Sequence, residues 1–350
     1  MIRRFINISG SGASGCSALS EFLLDYEDCY SMGDFESTIF RGDGGIRELY
    51  HMLFMGDIFL ETSAIVRFKN LIERTEIHEL ALMQKASEKE AENLRNQLKK
   101  ISQDFLAKIT EKDTRWGHII GAYNLGKLAS KCKVYHYPET NWRNRLINLL
   151  VKLCKKINHN QRLAVEYDFQ LPADLFIRKD ITKIEFVEIA KEFLRKYFAL
   201  FSDKSIVVIE HFLSSFNPEY FEEQSLFFDD IKNIFITRDP RGCFCSFAKR
   251  KIFSNETVDD FIAYYRHCHR GWPYKHKDFL CVRLEDFLLK HEETSQKVLD
   301  FVGISKDNKV LYPQYSVENS KARMNSWQQY PNQKVIDRIA DELKEFIYII

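Results

Sequence analysis

Nothing in this chain of 350 residues reads as a linker, an internal repeat or a low-complexity tract. Its seven prolines stand far apart, so no Pro/Gly-rich joint divides it. No stretch approaches the ~20 uninterrupted apolar residues of a membrane span. The opening MIRRFINISGSG reads as a short strand and a glycine loop, too brief for the apolar part of a signal peptide, so a cytoplasmic location is expected. An excess of charge is missing too: Lys+Arg number 51 against Asp+Glu 50, a formal net charge of +1. That excludes a global field of the kind that gathers nucleic acid or anionic membrane, and any anion site must be local. Eight cysteines contain no C-x-x-C pair and lie mostly among apolar neighbours, which reads as reduced packing thiols. His267, His269 and His276 sit in an aromatic, basic stretch without a partnering carboxylate or thiol set. No metal site is expected there, and surface or groove positions are expected for them.

What is present alternates between strand and helix patterns. Phe5–Ile8 reads as a strand, GSGASGCS as a glycine loop, and Ser17–Leu24 as a helix with apolar spacing at Leu19, Phe22 and Leu23. Further strand patterns lie at Lys133–Tyr137, Ser205–Glu210, Asn233–Thr237 and Phe279–Arg283, with helical segments such as Trp142–Ile157 and Ile184–Phe201 between them. This implies an α/β fold: a P-loop-like, mostly parallel β-sheet flanked by helices on both faces. Residues 65–113 are highly charged and carry Leu94, Leu98, Ile101, Phe105 and Ile109 at helical steps, with Ser87 and Glu90 as a capping box. They are expected to form a helical hairpin inserted into a single domain spanning 1–350, and a candidate arm for a homodimer.

Two segments carry the chemistry. Arg238–Ala248 reads R-D-P-R-G-C-F-C-S-F-A directly after an apolar strand, with Ser246 eight residues after Arg238. Asp239-Pro240 breaks the strand, and the strand-turn-helix form aims basic side chains, a hydroxyl and backbone N–H groups at a phosphate-sized anion. Gly10–Ser17 has the spacing of a P-loop whose usual Lys is replaced by Cys16. A nucleoside-triphosphate kinase needs that ammonium at its phosphates, so its absence argues against a P-loop kinase-like phosphotransferase, which stays the alternative.

Together these segments resemble the superfamily of sulfotransferases that use 3′-phosphoadenosine 5′-phosphosulfate (PAPS). In that family the first loop, G-x-x-[KR]-S-G-T-[ST], cradles the 5′-phosphosulfate, and Gly10, Ser14, Gly15 and Ser17 stand at matching positions. The second motif binds the 3′-phosphate through an Arg and a Ser eight apart, matching Arg238 and Ser246. The tail VRLEDFLLKHEETSQKVLDFVGI resembles the family's strand, acidic turn and helix. Ser320–Arg323 with Trp327 resembles its late basic segment near the nucleotide. The similarity covers roughly residues 4–50 and 204–350.

The resemblance implies a PAPS-dependent sulfotransferase of bacterial carbohydrate type. It would be metal-independent, release 3′-phosphoadenosine 5′-phosphate (PAP) and act on a hydroxyl of a sugar, glycan or small-molecule acceptor. The implied nucleotide-binding residues are Gly12, Ala13, Ser14, Gly15, Cys16, Ser17, Arg238, Ser246, Lys321 and Arg323. Where the family carries a first-loop Lys or Arg, this chain has Ala13. The missing cation would come from elsewhere, such as Arg143, Arg145, Lys321 or Arg323, or the chain is a noncatalytic PAP-binding relative. For the general base two positions compete: His211, just past the strand before the 3′-phosphate motif, and Glu36 with Asp34 beside it after the first helix. Glu210, next to His211, is a third carboxylate or imidazole within reach, because successive strand residues face opposite sides. Arg283, Glu285 and Asp286 read as a structural ion-pair turn.

Overall fold

A computed structural model of the protein describes residues 2–32, 38–74, 87–113, 175–213, 215–271 and 273–349. The strand pattern at Lys133–Tyr137 and the helical pattern at Trp142–Ile157 lie outside the described residues. The chain divides into two compact units. One comprises residues 1–42, 75–101 and 190–350; the other comprises 43–74 and 102–189.

The first unit is built on a five-stranded sheet in the order β2-β5-β1-β6-β7, every neighbouring pair parallel. Its strands are β1 (Arg4–Gly10), β2 (Cys29–Tyr30), β5 (Ile206–Glu210), β6 (Ile231–Thr237) and β7 (Phe279–Arg283). β1 is central and buried on both faces, with apolar residues directed to each, as expected of a strand covered on two sides. Ile6 and Ile8 enter a core with Leu19, Phe22 and Leu23 of the Cys16–Leu24 helix and Phe287, Val298 and Leu299 of the later helices. On the opposite face Phe5 meets Phe198 and Phe228 edge-on at 5.5 and 4.9 Å between ring centroids. A second apolar cluster joins the helices Pro240–Lys249, Val258–Cys268 and Gln333–Glu342 through Phe244, Phe261, Ile262 and Ile336. His269 belongs to this region rather than to the surface expected for it: it is 5% exposed and stacked on Tyr265 at 4.0 Å. The Tyr265 carbonyl, 2.8 Å from Nδ1, satisfies one of the two ring nitrogens inside the apolar packing.

The second unit contains the helix Ile58–Arg74 and an antiparallel strand pair, β3 (Thr110–Asp113) with β4 (Leu175–Arg178). The sequence reading missed that pair. Thr62 Oγ1 lies on the Phe176 backbone, accepting from its N–H at 3.0 Å and donating to its C=O at 2.9 Å, while Phe68 and Phe105 pack at 5.4 Å. A long helix runs over Glu88–Ile109, and its start is the capping box read from the sequence: the Glu90 carboxylate accepts from the Ser87 N–H at 2.8 Å. Reciprocally, the Ser87 hydroxyl accepts from the Glu90 N–H at 3.4 Å. Among the described residues no helix is long and apolar enough to cross a membrane.

Burial lowers the His269 pKa from 6.5 to about 4. The folded protein therefore resists protonating this ring while the unfolded chain accepts the proton below pH 6.5. Stability is full above that pH and falls as the pH drops toward 4, by roughly 3 kcal/mol at the limit. Urea unfolding at pH 7 and pH 5 should show a smaller acid loss for His269→Phe than for the parent. An equal loss would place the acid sensitivity on other groups.

Candidate functional site

The parallel sheet brings the carboxyl ends of β1, β5 and β6 to one edge, where ligands of such sheets bind. β1 ends at Gly10, and the loop to the Cys16–Leu24 helix turns through Ala13 (φ 64°) and Gly15 (φ 106°), both left-handed. Gly15 caps that helix without any side-chain hydrogen bond, and the first turn carries no acidic residue. The first N–H groups of a helix have no intrahelical acceptor, so this end presents donors to an anion. Tight packing explains the glycines. A Cβ on Gly10 would stand 2.3 Å from the Ile236 carbonyl oxygen, and one on Gly15 would meet Leu284 at 2.8 Å.

Other groups of the loop have partners of their own. The Gly12 N–H donates to the Tyr264 hydroxyl at 3.0 Å, and the Ser14 N–H to the Ser11 carbonyl at 3.1 Å. Cys16 is 5% exposed and packs into the core, with burial pushing its thiol up to about 12. At the position of the usual P-loop Lys it is therefore neutral, and only its backbone can serve an anion. Ser17 is exposed and donates to Glu210 Oε2 at 3.2 Å, so that carboxylate is engaged with the loop.

β6 delivers the second motif. Arg238 is 8% exposed; Nη1 donates to Ser246 Oγ at 3.1 Å and to the Ala13 carbonyl at 3.3 Å, and Nη2 donates to the Arg323 carbonyl at 3.1 Å. Gly242 leaves room for the guanidinium, since a Cβ there would lie 2.8 Å from Arg238 Nε. Among the described residues that buried Nε has no hydrogen-bond partner, and no carboxylate is ion-paired with Arg238. The first two residues of the Pro240–Lys249 helix offer no backbone donor to an anion: Pro240 has none, and Asp239 Oδ1 accepts from the Arg241 N–H at 2.9 Å.

Asp239 also grips the Arg241 guanidinium, at 3.0 Å to Nε and 2.7 Å to Nη2, and Arg241 lies 3.8 Å over the Trp327 ring. The late segment thus meets the second motif twice, through Trp327 and through the Arg323 backbone. The Lys321 and Arg323 side chains are exposed. Glu285 is 2% exposed, accepts from the Asp239 N–H at 2.8 Å and pairs with Arg283 at 3.4 Å. Burial raises its pKa. Asp286 accepts from the Tyr348 hydroxyl at 2.9 Å, so the acidic turn is a structural brace beneath the second motif.

A cavity of about 250 Å³ opens beside the first loop, lined by Gly10, Gly12, Arg41, His211, Leu213, Ser215, Phe216 and Tyr264. His211 sits there with φ 55°, a left-handed backbone that costs a non-glycine residue about 1–2 kcal/mol. Its N–H donates to the Ile8 carbonyl at 2.8 Å. Asn7 Oδ1 accepts from the next two N–H groups, Phe212 and Leu213, at 3.1 and 3.2 Å. The other base candidate, Glu36, lies outside the described residues, as do Asp34, Arg143 and Arg145. Among the described residues no group of three His, Cys, Asp or Glu could hold a metal ion.

No protein-family model matches the chain, and no curated protein matches it. Solved structures similar to it include three sulfotransferases. The sulfotransferase domain of the Synechococcus PCC 7002 olefin synthase matches over 100% of this chain and 96% of its own, at 12% identity and a TM-score of 0.46. A sulfotransferase domain from the curacin biosynthetic pathway matches over 99% and 98%, at 12% and 0.40. A sulfotransferase from Mycobacterium avium matches over 88% and 97%, at 11% and 0.29. At these identities and scores the reading of the site rests on this chain's own side chains.

Sequence reasoning gives Tyr264 no role, and it reads Arg41 only as the start of an acceptor-side segment, Arg41–Leu49. Tyr264 stands in the run YYRHCH, whose helical spacing places it with the apolar face, and nothing local tells that its hydroxyl meets a loop some 250 residues earlier. Gly10→Ala should destabilise the protein by about 1–3 kcal/mol through overpacking. Urea unfolding of that variant checks this, and an unchanged midpoint would show that the loop is free to shift.

Proposed function

We propose that this chain is a sulfotransferase that uses PAPS and transfers its sulfuryl group to a hydroxyl of a sugar, glycan or small-molecule acceptor. The observation that carries the reading is Arg238. It is a buried cation without a carboxylate partner among the described residues, and its guanidinium touches both the first loop at Ala13 and Ser246 of the second motif. A buried charge without a counterion is costly, and a phosphate dianion at this point completes it.

In this reading Arg238 and Ser246 hold the 3′-phosphate, with Lys321 and Arg323 at its rim. Main-chain N–H groups at Gly15, Cys16 and Ser17 hold the 5′-phosphosulfate. The sulfuryl group then points into the cavity bounded by Gly10, Gly12 and His211. The acceptor oxygen forms a new bond to sulfur as the bond from sulfur to the phosphate oxygen breaks. PAP leaves with the added negative charge, and the acceptor's proton passes to a base. His211, which lines that cavity, takes that role in this reading, and Glu36 is its rival. The neutral Cys16 in place of a P-loop ammonium supports sulfuryl over phosphoryl transfer from a triphosphate.

Calorimetry with PAP tests the nucleotide assignment directly. Arg238→Met should cost about 2–5 kcal/mol of PAP affinity, the usual loss when one partner of a buried charge pair is removed. Unchanged affinity would remove the 3′-phosphate site. In a thermal-shift comparison, PAP should raise the melting temperature of the parent protein and ATP with Mg²⁺ should not; the reverse result would favour the kinase alternative.

A further inference from the structure

Sulfuryl transfer moves negative charge onto the leaving phosphate oxygen, and a fixed positive charge at that point lowers the barrier. The first loop supplies none. Ala13 has no charged side chain, its carbonyl accepts from Arg238 Nη1, and the Cys16 thiol is neutral and turned into the core. Arg238 reaches the loop at the Ala13 carbonyl, and its guanidinium is committed to Ser246 and to two carbonyls.

The cavity supplies what the loop lacks. Among the described residues that line it, Arg41 is the one Lys or Arg, and it shares the cavity with Gly10, Gly12 and His211. Its guanidinium donates to the His211 carbonyl. The neighbouring residues fix both partners. Phe40, fully buried, stacks on Phe212 at 4.9 Å with an interplanar angle of 11°, and packs edge-on against Phe227 at 5.3 Å. Two adjacent pairs, Phe40-Arg41 and His211-Phe212, are therefore locked together by an aromatic stack on one side and a hydrogen bond on the other. The left-handed turn at His211 directs its carbonyl to Arg41, while its N–H remains on β1 at Ile8. A guanidinium stays protonated at any working pH and matches the oxygens of a sulfuryl or phosphoryl group.

We infer that Arg41 is a catalytic residue that supplies the positive charge at the transferring sulfuryl group, in place of the first-loop cation that this chain lacks. The inference rests on the sulfotransferase reading above, and it assigns the charge to the sulfuryl end of the donor, separate from the 3′-phosphate end held by Arg238.

PAPS and PAP differ by the sulfuryl group alone, so their affinities in the absence of acceptor separate the two ends. Calorimetry on the full chain and on Arg41→Gln, which keeps a donor for the His211 carbonyl, should show at least a tenfold loss of PAPS affinity and a PAP affinity within twofold of the parent. Arg41→Lys, which keeps the charge, should recover most of the PAPS affinity. In turnover, Arg41→Gln should lose a hundredfold or more in kcat, with partial rescue by added guanidinium ion. PAPS affinity unchanged in Arg41→Gln, or PAPS and PAP affinities reduced by the same factor, overturns the inference while leaving the nucleotide site standing. A parent chain that binds neither nucleotide overturns the sulfotransferase reading, and the role of Arg41 with it.

Discussion

A guanidinium taken out of water must be compensated, and at Arg238 the compensation within the protein is incomplete. Two backbone carbonyls and one hydroxyl accept from it, at 3.1 to 3.3 Å, and no carboxylate among the described residues pairs with it. Dipoles of this kind soften the cost of burying a charge without cancelling it. The same three contacts join the first loop, the helix after β6 and the late segment, which are far apart in the chain. The charge that makes the site attractive to an anion is thus also what assembles it. Asp239, next to it in sequence, holds Arg241 and caps the helix, and Glu285 takes the Asp239 N–H. That arrangement keeps negative charge off Arg238.

The neighbouring cavity is organised by neutral groups. Asn7, buried in β1 beside Asn233 at 3.1 Å, satisfies the first N–H groups past the end of β5, and so fixes the turn that carries His211. Tyr264 holds the Gly12 N–H and lines the same cavity. Burial pushes the Tyr264 hydroxyl up to about 12, so it remains a neutral partner across the working pH range. Rigid, neutral scaffolding around a few fixed charges is the form that electrostatic catalysis requires.

Much of this was legible in the chain. β7 spans the residues expected for it, β1 and β6 extend the expected runs by one or two residues at an end, and the Ser87–Glu90 capping box has the reciprocal bonds its spacing implies. These features are local: apolar runs, turn residues and caps act within a few residues of themselves. Two things were less legible. The β3–β4 pair joins a polar four-residue segment to an apolar one more than sixty residues away, each too short for an alternation to mark it. The helix after β6 looked like a source of backbone donors, and the cap that takes one of them depends on which way the Asp239 side chain turns.

The sequence by itself determined a parallel α/β sheet, a glycine loop without a cation, and an Arg and a Ser one helix face apart after a buried strand. Only the tertiary structure decided what stands around them. Arg41 meets His211 across 170 positions, Gly12 meets Tyr264 across 252, and Ala13 meets Arg238 across 225. Each pairing follows from the order β2-β5-β1-β6-β7 and its register, which bring strand ends to one edge. Strand order is set by how helices cover the two faces of the whole sheet, a property that no segment carries alone.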